Sequence, residues 1–157
     1  MRHYLEYVSG ELCHRLRAAV EYRGDARYQL GELLPAAVLR LRKLFKSAKD
    51  AASSWNQREL VERVGAREAA FSEVVDKSKV EEWQVNVAVH FNSWDNLAKG
   101  DFKPVAKAFR HLLEAFRCSD CVGFLRVSPE REEIEALRCA CGKVNINLST
   151  KSPKEKD

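Results

Sequence analysis

Four of the five cysteines fall near the C-terminal end in two closely spaced pairs. Cys118 and Cys121 form C-x-x-C, and Cys139 and Cys141 form C-x-C with Gly142 directly after, seventeen residues separating the pairs. Four thiolates at such spacing are the ligand set of a tetrahedral zinc site, in which each sulfur stands about 2.3 Å from the ion. C-x-x-C is the length at which a tight turn aims two sulfurs at one point, and a hairpin of about seventeen residues returns a second pair to it. The expected centre is therefore one structural zinc ion per chain, held by Cys118, Cys121, Cys139 and Cys141. Four protein ligands leave no open position, so the ion would not be catalytic.

The second pair is one residue shorter than a usual knuckle. An extended C-x-C aims both sulfurs to one side, and Gly142 is the residue that could give the backbone freedom to close the site. Two competing readings are weaker. Redox chemistry at Cys118 and Cys121 expects a thioredoxin-like βαβ setting, which the sequence lacks. Disulfides suit an oxidising compartment, and the chain reads as cytosolic. Cys13 stands apart and reads as a small core residue of the first helix.

The elements that must position these cysteines follow from periodicity. Tyr4, Leu5, Val8, Leu12, Leu16 and Val20 recur at three- and four-residue spacing and predict a helix over 2–20. A turn at Gly24 and Asp25 precedes a second helix to about Ala52, with Pro35 in its first turn and Val38, Leu41, Leu44, Phe45 and Ala48 on one face. Asn56, with Glu59 three residues on, reads as the N-cap of a short helix ended by Gly65. A further short helix runs from Arg67 to about Val75. Residues 80–91 continue helical spacing through Trp83 and Val87, although their middle is β-prone. Asp101 reads as an N-cap, with Pro104 in the first turn of a helix to about Phe116 whose core stripe is Val105, Phe109, Leu112, Leu113 and Phe116. From Cys118 the pattern changes to short strands over 124–127, 136–138 and 144–148.

The expected architecture is mainly α: a helical domain of five or six helices over 1–116, a small three-stranded zinc ribbon over 117–148, and a disordered polar tail over 149–157. A β unit this small cannot stabilise itself by burial, so metal would supply its folding energy, and removing a ligand should unfold the ribbon before the helices.

The chain has 157 residues, 45% of them apolar and 32% charged, which suits one soluble domain with a small satellite. Its seven glycines and four prolines are too few for an all-β or linker-like chain. No apolar run approaches the roughly 20 residues of a membrane helix, and the charged N-terminus does not read as a secretory signal, so a cytoplasmic protein with no membrane partner is expected. The net charge of +4 is unevenly placed. Residues 31–60 carry six basic against three acidic groups and residues 138–157 five against two, while 61–137 is net acidic.

These basic regions permit non-specific DNA binding through phosphate contacts by Arg40, Arg42, Lys43, Lys46 and Lys49 on the second helix and Arg138 and Lys143 on the ribbon. The bland alternative is that these charges are solvated or paired with the acidic middle segment. A metal-dependent nuclease or hydrolase using His90, Asp95 or Asp101 is a weaker reading, because no H-E-x-x-H or other histidine metal spacing occurs. Neither G-x-x-x-x-G-K-[ST] nor G-x-G-x-x-G is present, so the chain alone should not hydrolyse ATP. A purely structural reading has the second helix pairing with a partner helix.

Several segments occur together in an order that resembles a known family: EYRGDARYQLGELLPA, then HFNSW and KGDFKPV, and finally FRCSDC and LRCACGKVNINL. Over Tyr4 to Leu148 the chain looks like the C-terminal part of bacterial AAA-type ATPases of the RecF, SbcC and SMC kind, several of which are tied to phage defence. The resemblance implies a helical segment ending in a zinc ribbon that is attached to, or works with, a DNA-active ATPase. Walker motifs and the ABC signature are missing, so ATPase activity carries over to no residue here; only the four cysteines carry over, as zinc ligands. The resulting expectation is a non-catalytic zinc-binding module for DNA or a partner ATPase.

Overall fold

The computed structural model describes residues 2–21, 24, 28–78, 99–128 and 135–151. Among these, four helices, α1 (Arg2–Leu16), α2 (Leu30–Ser54), α3 (Arg58–Ser78) and α4 (Lys99–Ala115), precede three strands, β1 (Arg126–Ser128), β2 (Ala136–Arg138) and β3 (Asn145–Asn147). The strands form an antiparallel sheet in the order β1-β2-β3, with Val127 opposite Leu137 and Leu137 opposite Ile146. The helices pack in sequence, α1 on α2, α2 on α3 and α3 on α4, while β1 touches α1 and β3 touches α2.

The helix count is four among the described residues, against the five or six expected from the sequence. The two short helices expected on either side of Gly65 are one continuous helix, α3, and the helix expected at 80–91 lies outside the described residues. Gly65 does not terminate the helix because Val64, Phe71 and Val75 all bury against neighbours. That burial outweighs the roughly 0.5–1 kcal/mol by which an internal glycine weakens a helix.

Helix ends correct four further expectations. Asn56 is not an N-cap. It takes φ 57 just past α2, its N–H reaching Ser53 O at 3.1 Å and that of Gln57 reaching Ala52 O at 2.9 Å. This is a Schellman motif, in which asparagine tolerates the left-handed conformation. The same motif stops α1 at Leu16 rather than at residue 20: Arg17 has φ 55, its N–H reaches His14 O at 3.2 Å, and that of Ala18 reaches Cys13 O at 2.8 Å. α2 begins at Leu30, a turn and a half before the expected start, because Glu32 accepts the Gln29 N–H at 2.9 Å and Leu30, Leu33 and Leu34 are buried. Pro35 therefore lies inside the helix, as does Pro104 in α4, and Asp101 is the third residue of α4 rather than its cap.

A single apolar core runs from the helices into the sheet. Phe71 lies edge-on to Phe45 (5.8 Å) and to Phe116 (5.2 Å), all three rings being buried. Leu125, Val127, Leu137 and Ile146 of the ribbon join the same cluster, so it extends across the boundary expected between residues 116 and 117. The expected stripes of α2 and α4 are buried where their side chains are described, whereas Tyr4 of α1 is exposed. Of the polar tail, Ser149 and Lys151 rest on the end of α2: Trp55 Nε1 donates to Ser149 O at 3.2 Å, and the Lys151 N–H donates to Ser54 Oγ at 2.8 Å. Residues 152–157 lie outside the described residues. No helix among the described residues is long and apolar enough to cross a membrane.

Candidate metal centre

Two turns with the same closure bring the cysteines together. In the first, the Cys118 N–H donates to Gly123 O at 2.9 Å and the Val122 N–H to Cys118 O at 3.0 Å. In the second, the Cys139 N–H donates to Val144 O at 3.0 Å and the Gly142 N–H to Cys139 O at 3.3 Å. The C-x-C pair is thus a turn and not an extended strand. The residue after the second cysteine of each pair is left-handed, Gly142 at φ 78 and Val122 at φ 56. Glycine takes this conformation freely, whereas a β-branched side chain is strained there. Gly123 has its own role: a Cβ there would meet Cys121 Sγ at 3.4 Å and Ala140 Cβ at 3.8 Å, so the first turn sits close against the second.

The four ligand sulfurs lie within 4.8 Å of one another, and no other such group of histidine, cysteine or acidic side chains occurs among the described residues. Cys118 Sγ is 3.9 Å and Cys139 Sγ 3.3 Å from Cys141 Sγ. Four sulfurs at about 2.3 Å from a central ion stand about 3.8 Å apart, so the set fits a tetrahedral metal. A disulfide would need about 2.05 Å, and all five cysteines are free. Cys118 and Cys139 are buried beneath the two turns, while Cys121 is half-buried and Cys141 exposed.

Hydrogen bonding prepares Cys121 and Cys139 for the thiolate form. Burial opposes ionisation of Cys139, but the Val144 N–H, 3.2 Å from its sulfur, and the neighbouring thiols outweigh it and bring it down to about 6. The Gly123 and Cys141 backbone N–H groups lower Cys121. Cys141 accepts from the Lys143 backbone, which favours its thiolate, yet hydrogen bonding of its thiol to the Cys139, Cys121 and Cys118 sulfurs, with partial desolvation, pushes it up to about 12. The cluster therefore gives up its first proton readily and its last reluctantly; a bound cation would displace the remainder.

Two features around the cluster escaped the sequence reading. Lys143 Nζ donates to Asp120 Oδ1 at 2.7 Å, joining the two turns, and this bond holds the Asp120 carboxyl below the usual carboxylate range. Both residues sit inside or beside the cysteine motifs, so their opposite charges were a usable signal. Arg67, in the middle of α3, donates through Nη2 to Arg117 O at 2.8 Å, immediately before Cys118. Burial lowers its pKa while the negative charge of Cys118 and Cys139 supports the cation. Nothing in the local sequence links it to cysteines some fifty positions away.

The other expected site residues are placed as follows. Cys13 is buried in α1 and donates to Leu33 O at 3.0 Å, and burial pushes its thiol up to about 11, as befits a core residue. Five of the seven expected DNA contacts are engaged within the chain. Arg40 donates to Leu16 O (2.9 Å) and faces Glu135 (3.8 Å), Arg42 faces Asp76 (3.8 Å), and Lys49 pairs with Glu68. Arg138 donates to Asn145 at 2.9 Å, and Lys143 to Asp120. Lys43 and Lys46 are exposed on α2. His90 and Asp95 lie outside the described residues, as does the side chain of Asp101. No protein-family model, curated protein or solved structure matches the chain.

Proposed function

We propose that the chain is a non-catalytic binding module whose four C-terminal cysteines hold one structural zinc ion, fastening together the two turns of the small sheet. The observation that carries this reading is the convergence of four sulfurs from two turns to within 4.8 Å of one another. An all-thiolate set is soft and suits zinc or iron, and its closed ligand count leaves no position for substrate. Cys118, Cys121, Cys139 and Cys141 would hold the ion, which would supply cross-linking and no chemistry. The internal pairing of Arg40, Arg42, Lys49, Arg138 and Lys143 gives a nucleic-acid reading little support, leaving it to Lys43 and Lys46. On the strength of the segment resemblance alone, the partner would be a DNA-associated ATPase.

The test is elemental analysis of protein purified without added metal. One equivalent of zinc per chain is expected, falling well below one in Cys139→Ser. Zinc far below one equivalent in the wild type, or full retention in the variant, refutes the reading; one equivalent of iron instead corrects the metal.

A further inference from the structure

We infer that Arg67 of α3 is the counter-cation and positioning residue of the cysteine centre, tying metal occupancy to the helical layer. This rests on the reading of the four cysteines as a metal site. Four thiolates around a divalent ion leave roughly two net negative charges, and two of the ligands, Cys118 and Cys139, are 2% and 3% exposed. Charge in so dry a place is costly unless a cation or hydrogen-bond donors stand beside it.

Three basic residues stand near the cluster: Arg117, whose guanidinium lies over the Phe124 ring at 4.4 Å and donates to Val122 O at 3.3 Å, Lys143 and Arg67. Lys143 is already bound to Asp120, so that pair is close to neutral as a unit. Arg67 has no carboxylate partner among the described residues. Its acidic neighbour on α3, Glu68, is held by Lys49, and Glu114 across the groove is held by Arg110 at 3.1 Å. A half-buried guanidinium without a carboxylate is as uncomfortable as an uncompensated thiolate cluster, and each relieves the other. Arg67 shares the lining of a cavity of about 710 Å³ with Cys118 and Ser119. Its bond to Arg117 O fixes the peptide that enters Cys118. The cation therefore comes from α3, while the sulfurs come from the ribbon.

The test is the rate of zinc transfer from the loaded full-length protein to a chromophoric chelator, with the cobalt(II) thiolate charge-transfer spectrum as a second readout. Groups that support metal ligands change affinity by about 10–100-fold when removed. Arg67→Gln should release zinc about 10–100-fold faster and shift the cobalt spectrum, while Arg67→Lys, which keeps the charge, should stay within about threefold of wild type. Glu68→Gln, which breaks the neighbouring pair with Lys49, should lower the melting temperature and leave zinc release unchanged. Release from Arg67→Gln within threefold of wild type overturns the inference. So does a loss of melting temperature that is equal with and without zinc. Should Arg67→Gln fail to fold even with excess zinc, Arg67→Lys decides: release near the wild-type rate supports the role of charge, and release more than tenfold faster refutes it. A wild-type protein that binds no metal fails the metal reading itself, a result distinct from all of these.

Discussion

Removing the metal should destabilise the whole molecule and not the ribbon alone. The ribbon contributes Leu125, Val127, Leu137 and Ile146 to the core that also contains Leu12, Leu41 and Phe116, so it cannot open without exposing helical surface. At about 1.5–3 kcal/mol for each buried aliphatic side chain, these four contribute on the order of 6–12 kcal/mol, comparable to the whole stability of a typical domain. Local opening of the ribbon is thus nearly as costly as global unfolding, and one cooperative transition is expected. Its shift follows from mass action. Free zinc a thousandfold above its dissociation constant stabilises the folded state by about 4 kcal/mol, and each kcal/mol moves the melting temperature of a chain this size by about 2–4 °C. Chelation under reducing conditions should therefore lower the melting temperature by about 8–16 °C, read by circular dichroism at 222 nm and by calorimetry. A helical melt unchanged within about 2 °C, or a separate ribbon transition well below it, would show that the core is not shared in the way the packing indicates.

The stability of the metal-free protein should also depend on pH. Cys139 is held at about 6 in the fold against its ordinary 9.0, so its contribution to stability is complete above about 9 and is lost as the pH falls through about 6. Melts of the reduced, chelated protein at pH 8 and pH 5.5 check this, and a melting temperature no lower at pH 5.5 contradicts it. Phe71→Ala should cost about 3–5 kcal/mol in urea unfolding, because it empties a site packed edge-on between Phe45 and Phe116; a cost under 1 kcal/mol would refute that packing. Gly65→Ala should stabilise α3 by about 0.5–1 kcal/mol, since no atom lies within 4 Å of the added methyl group; a fall in melting temperature would contradict the continuous helix. Arg17→Gly should stabilise by about 1 kcal/mol by relieving the left-handed residue that ends α1, and destabilisation by as much would argue against the Schellman turn.

The parts of this protein legible in its sequence are those governed by a period or a fixed spacing. The apolar stripe of α2 and the three ribbon strands could be read within a few residues because burial imposes periods of 3.6 and 2. The cysteine set could be read because tetrahedral geometry permits few spacings. Reading from local punctuation failed where tertiary contacts took precedence. Asn56 and Gly65 carry the local grammar of a start and a stop, yet Asn56 ends the preceding helix and Gly65 lies within a longer one. At Gly65 the deciding contact is the burial of Val64, Phe71 and Val75, which no short window contains, whereas at Asn56 a local Schellman turn uses the same residue type as a stop that a start would also accept. Pro35 misled because a local Gln29–Glu32 cap and three buried leucines start α2 a turn and a half earlier.

The charges follow a similar rule. A basic run on α2 reads as a surface for an external anion only until the fold supplies internal ones. Glu68, Asp76 and Glu135, from α3 and the approach to β2, take up Lys49, Arg42 and Arg40. Arg67, which came from no cluster and no motif, is a half-buried cation without such a partner among the described residues. Long-range pairing thus removes apparent sites from sequence clusters and assembles others from isolated residues. A half-buried charge left without a carboxylate after folding is the better guide to where an ion of opposite sign belongs, and Arg67 is such a charge, bound to the peptide that enters Cys118.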